Sequence, residues 1–334
     1  MRLLGTLLSA LLLLWNSSGL AASGTHYKAL TFNAGLLKVL WANLVPNVDE
    51  RFDRLQDSLP RYLDQNDIDI VSLQEVWELE PHVERLASLL ESQGFEVAVP
   101  FRNGLVPKEK VSALRHPLSS GLLLAVRNRK NGHPCLKIQS AEFELFRKND
   151  LVQSFARKGI LTAHLQTEDG SRLNVVDIHT VQVEVADGSA EDPSLMKVHS
   201  SQLAQIRESL ERLDPSVPLV LAGDFNMASH ANPNGYAFAH YPYFKDTMGL
   251  VDGFAATHDE SGAKSCTWCT SRNALISGGL FKNSTDVRMD YFWLRGVAPI
   301  ASRIVFDDAE APLSDHYGVE MELEVQKVVT HFWQ

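Results

Sequence analysis

The chain has 334 residues, of which 45% are hydrophobic, and a formal net charge of −10 at pH 7. This length and apolar content allow a large buried core in one large domain or two small ones. The acidic balance disfavours a non-specific polyanion binder, whose affinity comes largely from neutralising phosphates, although it does not exclude a nuclease with a locally basic cleft.

The N-terminal segment has the organisation of a secretion signal. Arg2 precedes the short apolar run LLGTLLSALLLLW, and the small residues Ala21 and Ser23 suit a cleavage site. A membrane anchor is the alternative, but the run is shorter than the roughly 20 residues that a spanning helix needs. We therefore predict a signal peptide over 1–23 and a secreted or periplasmic protein. The remaining chain carries 30 basic and 41 acidic residues, a net charge of −11.

The sequence contains no internal repeat or linker-like tract, and we predict a single domain over 24–334. Its elements are predicted from apolar alternation and helical spacing. In chain order they are a strand at 28–35, a helix at 49–65, a strand at 67–76, a helix at 81–94, a strand at 121–128, a hairpin of 159–167 with 172–180, a helix at 194–213, and strands at 217–225, 288–295, 302–307 and 316–325. Pro60 is a candidate break in the first helix. This order indicates an α/β fold with mixed sheets packed face to face and helices outside.

The three cysteines are Cys135, Cys266 and Cys269. In an exported protein Cys266 and Cys269 can form a short-loop disulfide, and two free thiols are the alternative. A zinc site is disfavoured, because about four ligands are needed and no second CxxC is present. Cys135 is expected to be a lone buried thiol. Asn283 begins a glycosylation sequon that has meaning only in a eukaryotic secretory pathway.

Polar side chains recur where the predicted strands end. They are Asn33, Glu75, Asp177, His179, Asp224, Asn226, Asp290, Asp315 and His316. Each one alone has an ordinary structural explanation, such as a satisfied core histidine, a cap or a salt-bridge partner. Burying such a group without a partner costs a few kcal/mol, so the recurrence favours one shared site. Asp224 and Asn226 stand two apart, which places both on one face of a strand.

The chemistry of this set points to a hard cation. Oxygen ligands without cysteine suit magnesium, manganese or calcium, and Asn33 with Glu75 matches the few protein ligands that magnesium takes. The two histidines remain for other work: one can act as a general base, and the other can hold charge on a phosphoryl oxygen. The residues therefore predict hydrolysis of a phosphate ester by water, assisted by a metal.

The motifs TFN, LQE, DIH, GDFN, RMDY and SDH, between residues 31 and 316, resemble those of the endonuclease/exonuclease/phosphatase superfamily in the same order. GDFN and SDH together with an upstream LQE carry most of the specificity. The resemblance implies a four-layered α/β sandwich in which the motifs meet at one end of two packed sheets. It implies that Asn33 and Glu75 hold the metal and that His179 binds a phosphoryl oxygen.

The same resemblance assigns the remaining roles. Asp224 would orient or deprotonate a water or protonate the leaving oxygen, with Asn226 as its hydrogen-bonding companion. Asp290 would orient His316, which would be the general base or a phosphate-contacting acid. Asp315 would lie near the metal.

One motif departs from the family pattern. DIH carries Asp177 where many members have Asn, and that side chain is not expected to face the phosphate.

Further segments resemble the secreted and neutral sphingomyelinases. These are WANLVPNVDERFDRL, FARKGIL, CTW followed by Asn273, and RMDYFWL. The resemblance makes Lys158 a candidate phosphate contact, while a solvated strand-end charge is the alternative. In that branch an Asp often stands five residues before the Lys; here Gln153 stands there, so a role for an Asp–Lys pair lacks support.

The branch implies an exported, magnesium-dependent enzyme that cleaves sphingomyelin to ceramide and phosphocholine. Its partner would be a phospholipid at a membrane surface, with no nucleic acid, and we expect a monomer. Segments 35–41, 235–244 and 274–281 are candidate interfacial anchors, and packing on the core is the alternative.

Three rival functions remain. A secreted deoxyribonuclease I-like nuclease would use the same catalytic set and would show Arg, Lys and Tyr beside the cleft, whereas the candidate loops here are apolar. An inositol-lipid phosphatase is the second rival. A non-catalytic binding protein is the third, and loss of Glu75 or His316 would be its signature; both residues are present.

Overall fold

A computed structural model describes residues 24–39, 42–43, 45–77, 82–102, 104–105, 119–130, 133–149, 156–167, 169–183, 191–232, 235–258, 265–277 and 285–325. The predicted signal peptide, the sequon at Asn283 and Gln153 lie outside these residues. Within them, no helix is both long enough and apolar enough to cross a membrane.

The described chain alternates strands with a smaller number of helices. The strands are β1 (Thr25–Asn33), β2 (Lys38–Val39), β3 (Ala42–Asn43), β4 (Ile70–Gln74), β5 (Phe95–Ala98), β6 (Leu123–Arg127), β7 (Arg129–Lys130), β8 (His133–Pro134), β9 (Leu136–Leu145), β10 (Gly159–Thr167), β11 (Arg172–His179), β12 (Leu219–Asp224), β13 (Val251–Asp252), β14 (Asp290–Arg295), β15 (Val297–Val305) and β16 (Gly318–Val325). The helices are α1 (Val48–Gln65), α2 (His82–Ser92), α3 (Pro193–Glu211), α4 (His240–Met248), α5 (Gly253–Thr257) and α6 (Ala274–Ser277).

Two mixed six-stranded sheets form the framework. The first has the order β15-β16-β1-β4-β6-β5 and the second the order β13-β14-β12-β11-β10-β9. Each contains one parallel pair near its middle, β1 with β4 and β11 with β12, while the other neighbours are antiparallel. The carboxyl ends of a parallel pair meet at one edge of the sheet, so residues that end these strands become neighbours.

The sheets pack face to face with helices outside, as the sequence predicted. One core lies between the sheets and includes Leu161, Phe292 and Met321. A second core lies under α1 and α2, and a third lies under α3 and α4. The layer order is therefore helix, sheet, sheet, helix, which confirms the four-layered sandwich.

Some local predictions were wrong. Pro60 lies inside α1 and does not break it, because Leu55, Leu59 and Leu63 on the same helix are buried against the first sheet. β9 was not predicted, since most of its side chains are exposed or only partly buried and give no clear alternation. Cys135 is half-buried rather than buried.

Candidate active site

The strand registers bring the polar strand ends together. Asn33 stands beside Gln74 at the end of the first sheet's parallel pair. In the second sheet His179 stands beside Asp224, and Asp290 lies opposite Asp224 on the next strand. A contact between the sheets joins the two groups: Asn33 Nδ2 donates to Asp224 Oδ2 over 2.9 Å. The predicted residues therefore meet at one end of the sandwich.

Asp224 is the centre of this site. Its Oδ2 lies 3.6 Å from His179 Nε2 and 3.9 Å from His316 Nε2. The carboxylate is buried, and burial followed by the charge of Asp290 raises its pKa to about 6. Near neutral pH Asp224 is thus largely ionised and can accept a proton.

His316 and Asp290 form a buried pair. His316 Nδ1 lies 2.9 Å from Asp290 Oδ2, which leaves Nε2 directed toward Asp224. Burial by itself lowers the pKa of His316, but the carboxylates of Asp290 and Asp224 outweigh burial and raise it to about 10. His316 is therefore an imidazolium at neutral pH in the free protein.

His179 has the opposite protonation. Burial, followed by the charges of Lys158 and His316, holds the pKa of His179 well below its ordinary value, so it is neutral. Its Nε2 lies 3.0 Å from Lys158 Nζ, which also donates to the Thr180 carbonyl over 2.9 Å. Burial lowers the pKa of Lys158 to about 8, against the opposing charge of Glu75. Lys158 is buried at the site, so the alternative of a solvated strand-end charge is wrong.

A turn places Asn226 in the site, whereas the sequence predicted that strand alternation would place it there. β12 ends at Asp224, and Asn226 has a left-handed backbone with φ 46°, so strand alternation does not place it. Its backbone N–H donates to Asp224 Oδ1 over 2.9 Å, and its Nδ2 donates to the Thr180 carbonyl over 3.2 Å. Asn226 therefore is the hydrogen-bonding companion of Asp224, held there by a turn.

Glu75, Asn33 and Asp315 supply oxygen atoms suited to a divalent cation. Burial, followed by the charge of Asp315, raises the pKa of Glu75 to about 7, against the opposing charges of Lys158 and His316. Gly35 allows this crowding, since a Cβ at that position would lie 2.4 Å from Asp315 Oδ1. A cation would offset the repulsion, and carboxylate and amide oxygens suit magnesium, manganese or calcium. The residues present thus fit a bound divalent metal.

A second group offers ligand atoms within the described residues. Asp224, Asp290 and His316 can each place one such atom within 4.8 Å of the others. The hydrogen bond between His316 Nδ1 and Asp290 Oδ2 engages two of these side chains with each other. Two of these three possible ligands are therefore already engaged with each other.

Asp177 lies apart from this chemistry. It is fully buried and its Oδ1 accepts a hydrogen bond from Gln74 Nε2 over 2.7 Å. Burial raises its pKa well above the ordinary aspartate value, so the side chain is protonated. Asp177 Oδ2 and Gln74 Oε1 are buried without a hydrogen-bond partner in the described structure.

Two residues that sequence reasoning missed organise the site. Arg51 on α1 is buried and donates to the carbonyls of Gly35, Ala34 and Leu313, which fixes the segments beside Asn33 and Asp315. The basic pair in ERFDRL was the sequence feature that could have indicated Arg51. Thr267 accepts hydrogen bonds from the backbone at the start of β14; it lies in the CTW segment that resembles the sphingomyelinases, but that resemblance gave it no role.

The described part of the candidate membrane segments packs on the core. In 235–244, Tyr236, Tyr241 and Phe244 are buried, whereas Tyr243 is 48% exposed. Leu36 is also buried. Residues 278–281 lie outside the described residues, so the expectation for that segment stays a prediction.

Several solved structures share the fold at low sequence identity. A double mutant of beta toxin from Staphylococcus aureus with bound magnesium ions has a TM-score of 0.63 at 14% identity, covering 89% of this chain and 99% of that chain. SmcL has a TM-score of 0.63 at 13% identity, with coverage of 90% and 99%. TDP2 of D. rerio, complexed with a single strand DNA product, has a TM-score of 0.60 at 16% identity, also with coverage of 90% and 99%. A sequence comparison with curated proteins finds no match.

The family profile decides membership. The profile described as Endonuclease/Exonuclease/phosphatase family matches residues 30–316, which include every residue of the site. The motif resemblance is thereby confirmed, and it identifies a hydrolase of the phosphodiesterase or nuclease type with a site suited to a divalent metal. The chain belongs to the endonuclease/exonuclease/phosphatase family.

Proposed function

We propose that the protein is an exported, magnesium-dependent phosphodiesterase that hydrolyses sphingomyelin to ceramide and phosphocholine. The observation that carries the hydrolytic part is the convergence of Asp224, His179 and the His316–Asp290 pair beside a set of oxygen ligands. The substrate part is supported by the motifs that resemble sphingomyelinases and by the net charge of −11 that remains after the signal segment.

The protonation states of Asp224 and His316 in the metal-free protein indicate how protons move during hydrolysis. Asp224, with a pKa of about 6, is placed to accept the proton of the attacking water. His316, protonated and directed at the same oxygen of Asp224, is placed to contact the phosphate or to protonate the leaving alkoxide. Of the two roles considered for His316, this favours the acid over the base.

The other residues hold the substrate and its charge. Asn33 and Glu75 would bind the divalent cation, which neutralises phosphate charge when present. Neutral His179 and the Lys158 ammonium lie 3.0 Å apart and can both contact a phosphoryl oxygen. Attack by water on phosphorus opposite the leaving oxygen then breaks the bond to ceramide and leaves phosphocholine.

A membrane surface is the proposed partner. Sphingomyelin sits in a bilayer, so its hydrolysis requires contact with lipid headgroups. The apolar segment ALISGGLF at 274–281 supplies the candidate anchor, since the aromatics of 235–244 are mostly buried. Export follows from the signal-like segment 1–23, and we expect a monomer that does not bind nucleic acid.

The deciding experiment measures phosphocholine release from sphingomyelin vesicles by the purified chain 24–334. Magnesium is supplied and then removed with EDTA, with plasmid DNA and an inositol phospholipid in parallel and Glu75→Gln as the inactive control. Magnesium-dependent release with DNA intact supports the proposal. Nicked DNA without phosphocholine release would overturn it in favour of the nuclease, and inorganic phosphate from the inositol lipid would favour a phosphatase.

A further inference from the structure

A disulfide closes a short turn beside the acid–base pair. Cys266 and Cys269 are bonded, with their Cα atoms 5.4 Å apart, and both are buried. Inside the turn, Trp268 forms isolated β-bridges with Val287 and with His316. The rings of Trp268 and His316 meet edge to face with centroids 5.0 Å apart. The turn therefore packs directly on His316.

Thr267, also inside the turn, connects the two segments that carry the pair. Its Oγ1 accepts hydrogen bonds from the backbone N–H groups of Met289, over 3.0 Å, and Asp290, over 3.3 Å. Its carbonyl accepts from Tyr317 N over 2.8 Å, and Tyr317 follows His316 directly. A single buried residue thus holds the backbone on the Asp290 side and on the His316 side.

The connection extends to the catalytic turn after β12. The Met289 carbonyl accepts from Phe225 N over 3.0 Å, and Phe225 lies between Asp224 and Asn226. A shift of Met289 would therefore displace Asp224 as well as Asp290. Displacement of reacting groups by about 1 Å can lower a rate by about 100-fold. Loss of these hydrogen bonds should therefore slow the reaction.

We propose that Thr267 is a positioning residue for the Asp290–His316 pair and that the Cys266–Cys269 disulfide holds it in place. The proposal rests on the hydrolytic function of this site but not on the identity of the substrate. Thr267 touches no reacting atom; it acts through the backbone of its partners. The disulfide contributes by limiting the conformations of the turn, so its reduction to two thiols loosens Thr267.

The first test needs no substrate. We expect the hydrogen-bonded Nδ1 proton of His316 to give a downfield signal in proton NMR of the whole mature chain. Thr267→Val keeps the shape but loses the acceptor, and we expect this signal to shift or broaden. Thr267→Ser restores the acceptor and should restore the signal. Thr270→Val is the matched control, since it removes a hydroxyl that donates to Asp286 Oδ1.

The second test measures turnover and KM on whichever phosphodiester the native chain hydrolyses. We expect Thr267→Val to lower kcat by about 10- to 100-fold with little change in KM, and Thr267→Ser and Thr270→Val to stay near native. Treatment with a dithiol, which becomes a cyclic disulfide as it reduces Cys266–Cys269, should lower kcat of the native chain. The double variant Cys266→Ser, Cys269→Ser should start low and not respond.

Thermal unfolding separates positioning from folding. A folded Thr267→Val with a native NMR signal and native kcat would overturn the proposal. If Thr267→Val does not fold, the native chain treated with dithiol decides: an unchanged signal and kcat after verified reduction overturns the proposal. If no phosphodiester is hydrolysed at all, the proposed function fails, while the NMR arm still decides the positioning role.

Discussion

His316 Nδ1 and Asp290 Oδ2 lie 2.9 Å apart although 26 residues separate them in the chain. Asp290 begins β14 in the second sheet, whereas His316 precedes β16 in the first sheet, so the pair forms only when the sheets pack. The contact fixes the orientation of the imidazole and directs Nε2 toward Asp224, 3.9 Å away. It also provides the charge that keeps His316 protonated.

Replacement of His316 tests its part in the chemistry. A positioned acid or base contributes about 10²- to 10⁴-fold, so His316→Ala should lower kcat by that range without unfolding the protein. The measurement is phosphodiester turnover, with circular dichroism as the check on folding. A loss of less than tenfold in a folded variant would mean that His316 moves no proton in the slow step.

The pH profile distinguishes the acid from the base. If His316 acts protonated, activity falls as pH rises toward its pKa of about 10, because the proton is lost. Asp290→Asn removes a charge that raises this pKa, so the fall should move to lower pH. The measurement is kcat against pH at saturating magnesium for both proteins. An activity that instead rises through the same range would assign His316 as the base.

Magnesium should stabilise the chain more at higher pH. In the metal-free protein the pKa of Glu75 is raised from 4.5 to about 7. Its contribution to the free energy of unfolding is therefore present below pH 4.5 and is lost as pH rises through 7. A cation favours the ionised form, so the gain in Tm on adding magnesium should be larger at about pH 8 than at about pH 5. Thermal unfolding with magnesium or EDTA measures it. Glu75→Gln should abolish most of the gain, and a full gain in that variant would remove Glu75 from the metal site.

Asp177→Asn should stabilise the protein, and more so at alkaline pH. A raised carboxyl pKa contributes stability at low pH that is lost as pH rises above 3.8, the ordinary value, and Asn has no proton to lose. The amide also keeps an oxygen that can accept from Gln74 Nε2, as Asp177 Oδ1 does in the native chain. Urea unfolding at two pH values, with turnover measured alongside, checks this. A variant less stable than native at pH 8 would contradict the protonated state of Asp177.

The membrane contact is tested by two substrates. Replacing Leu280 and Phe281 by Ser should lower activity on sphingomyelin vesicles but leave hydrolysis of a soluble phosphocholine ester unchanged, because only the first requires binding to lipid. Ile300→Ser, which removes an apolar side chain that is exposed in the described structure, serves as the control. Equal loss on both substrates would show that the segment supports the fold and does not bind membranes.

Sequence periodicity predicted the elements that hold the site because periodicity is a local property. The apolar runs at 172–180 and 217–225 became β11 and β12, and their polar ends became His179 and Asp224. The chemistry of the set was also readable, since oxygen ligands and histidines are properties of residue type. Family membership rests on the same residues.

Other features depend on contacts that no local pattern records. Asn226 reaches Asp224 through a left-handed turn, and Tyr241 and Phe244 are buried because α4 packs on the second sheet. The positioning contacts of Arg51 and Thr267 are made to backbone atoms of distant segments.

The sequence by itself determined which polar residues end the strands and which kind of ion suits their oxygen atoms. Only the tertiary structure decided their protonation. His179 and His316 are the same residue type with the same ordinary pKa, and packing left one beside Lys158 and the other between Asp224 and Asp290. Charge and burial act through space, so residues far apart in the chain made one histidine neutral and the other positively charged.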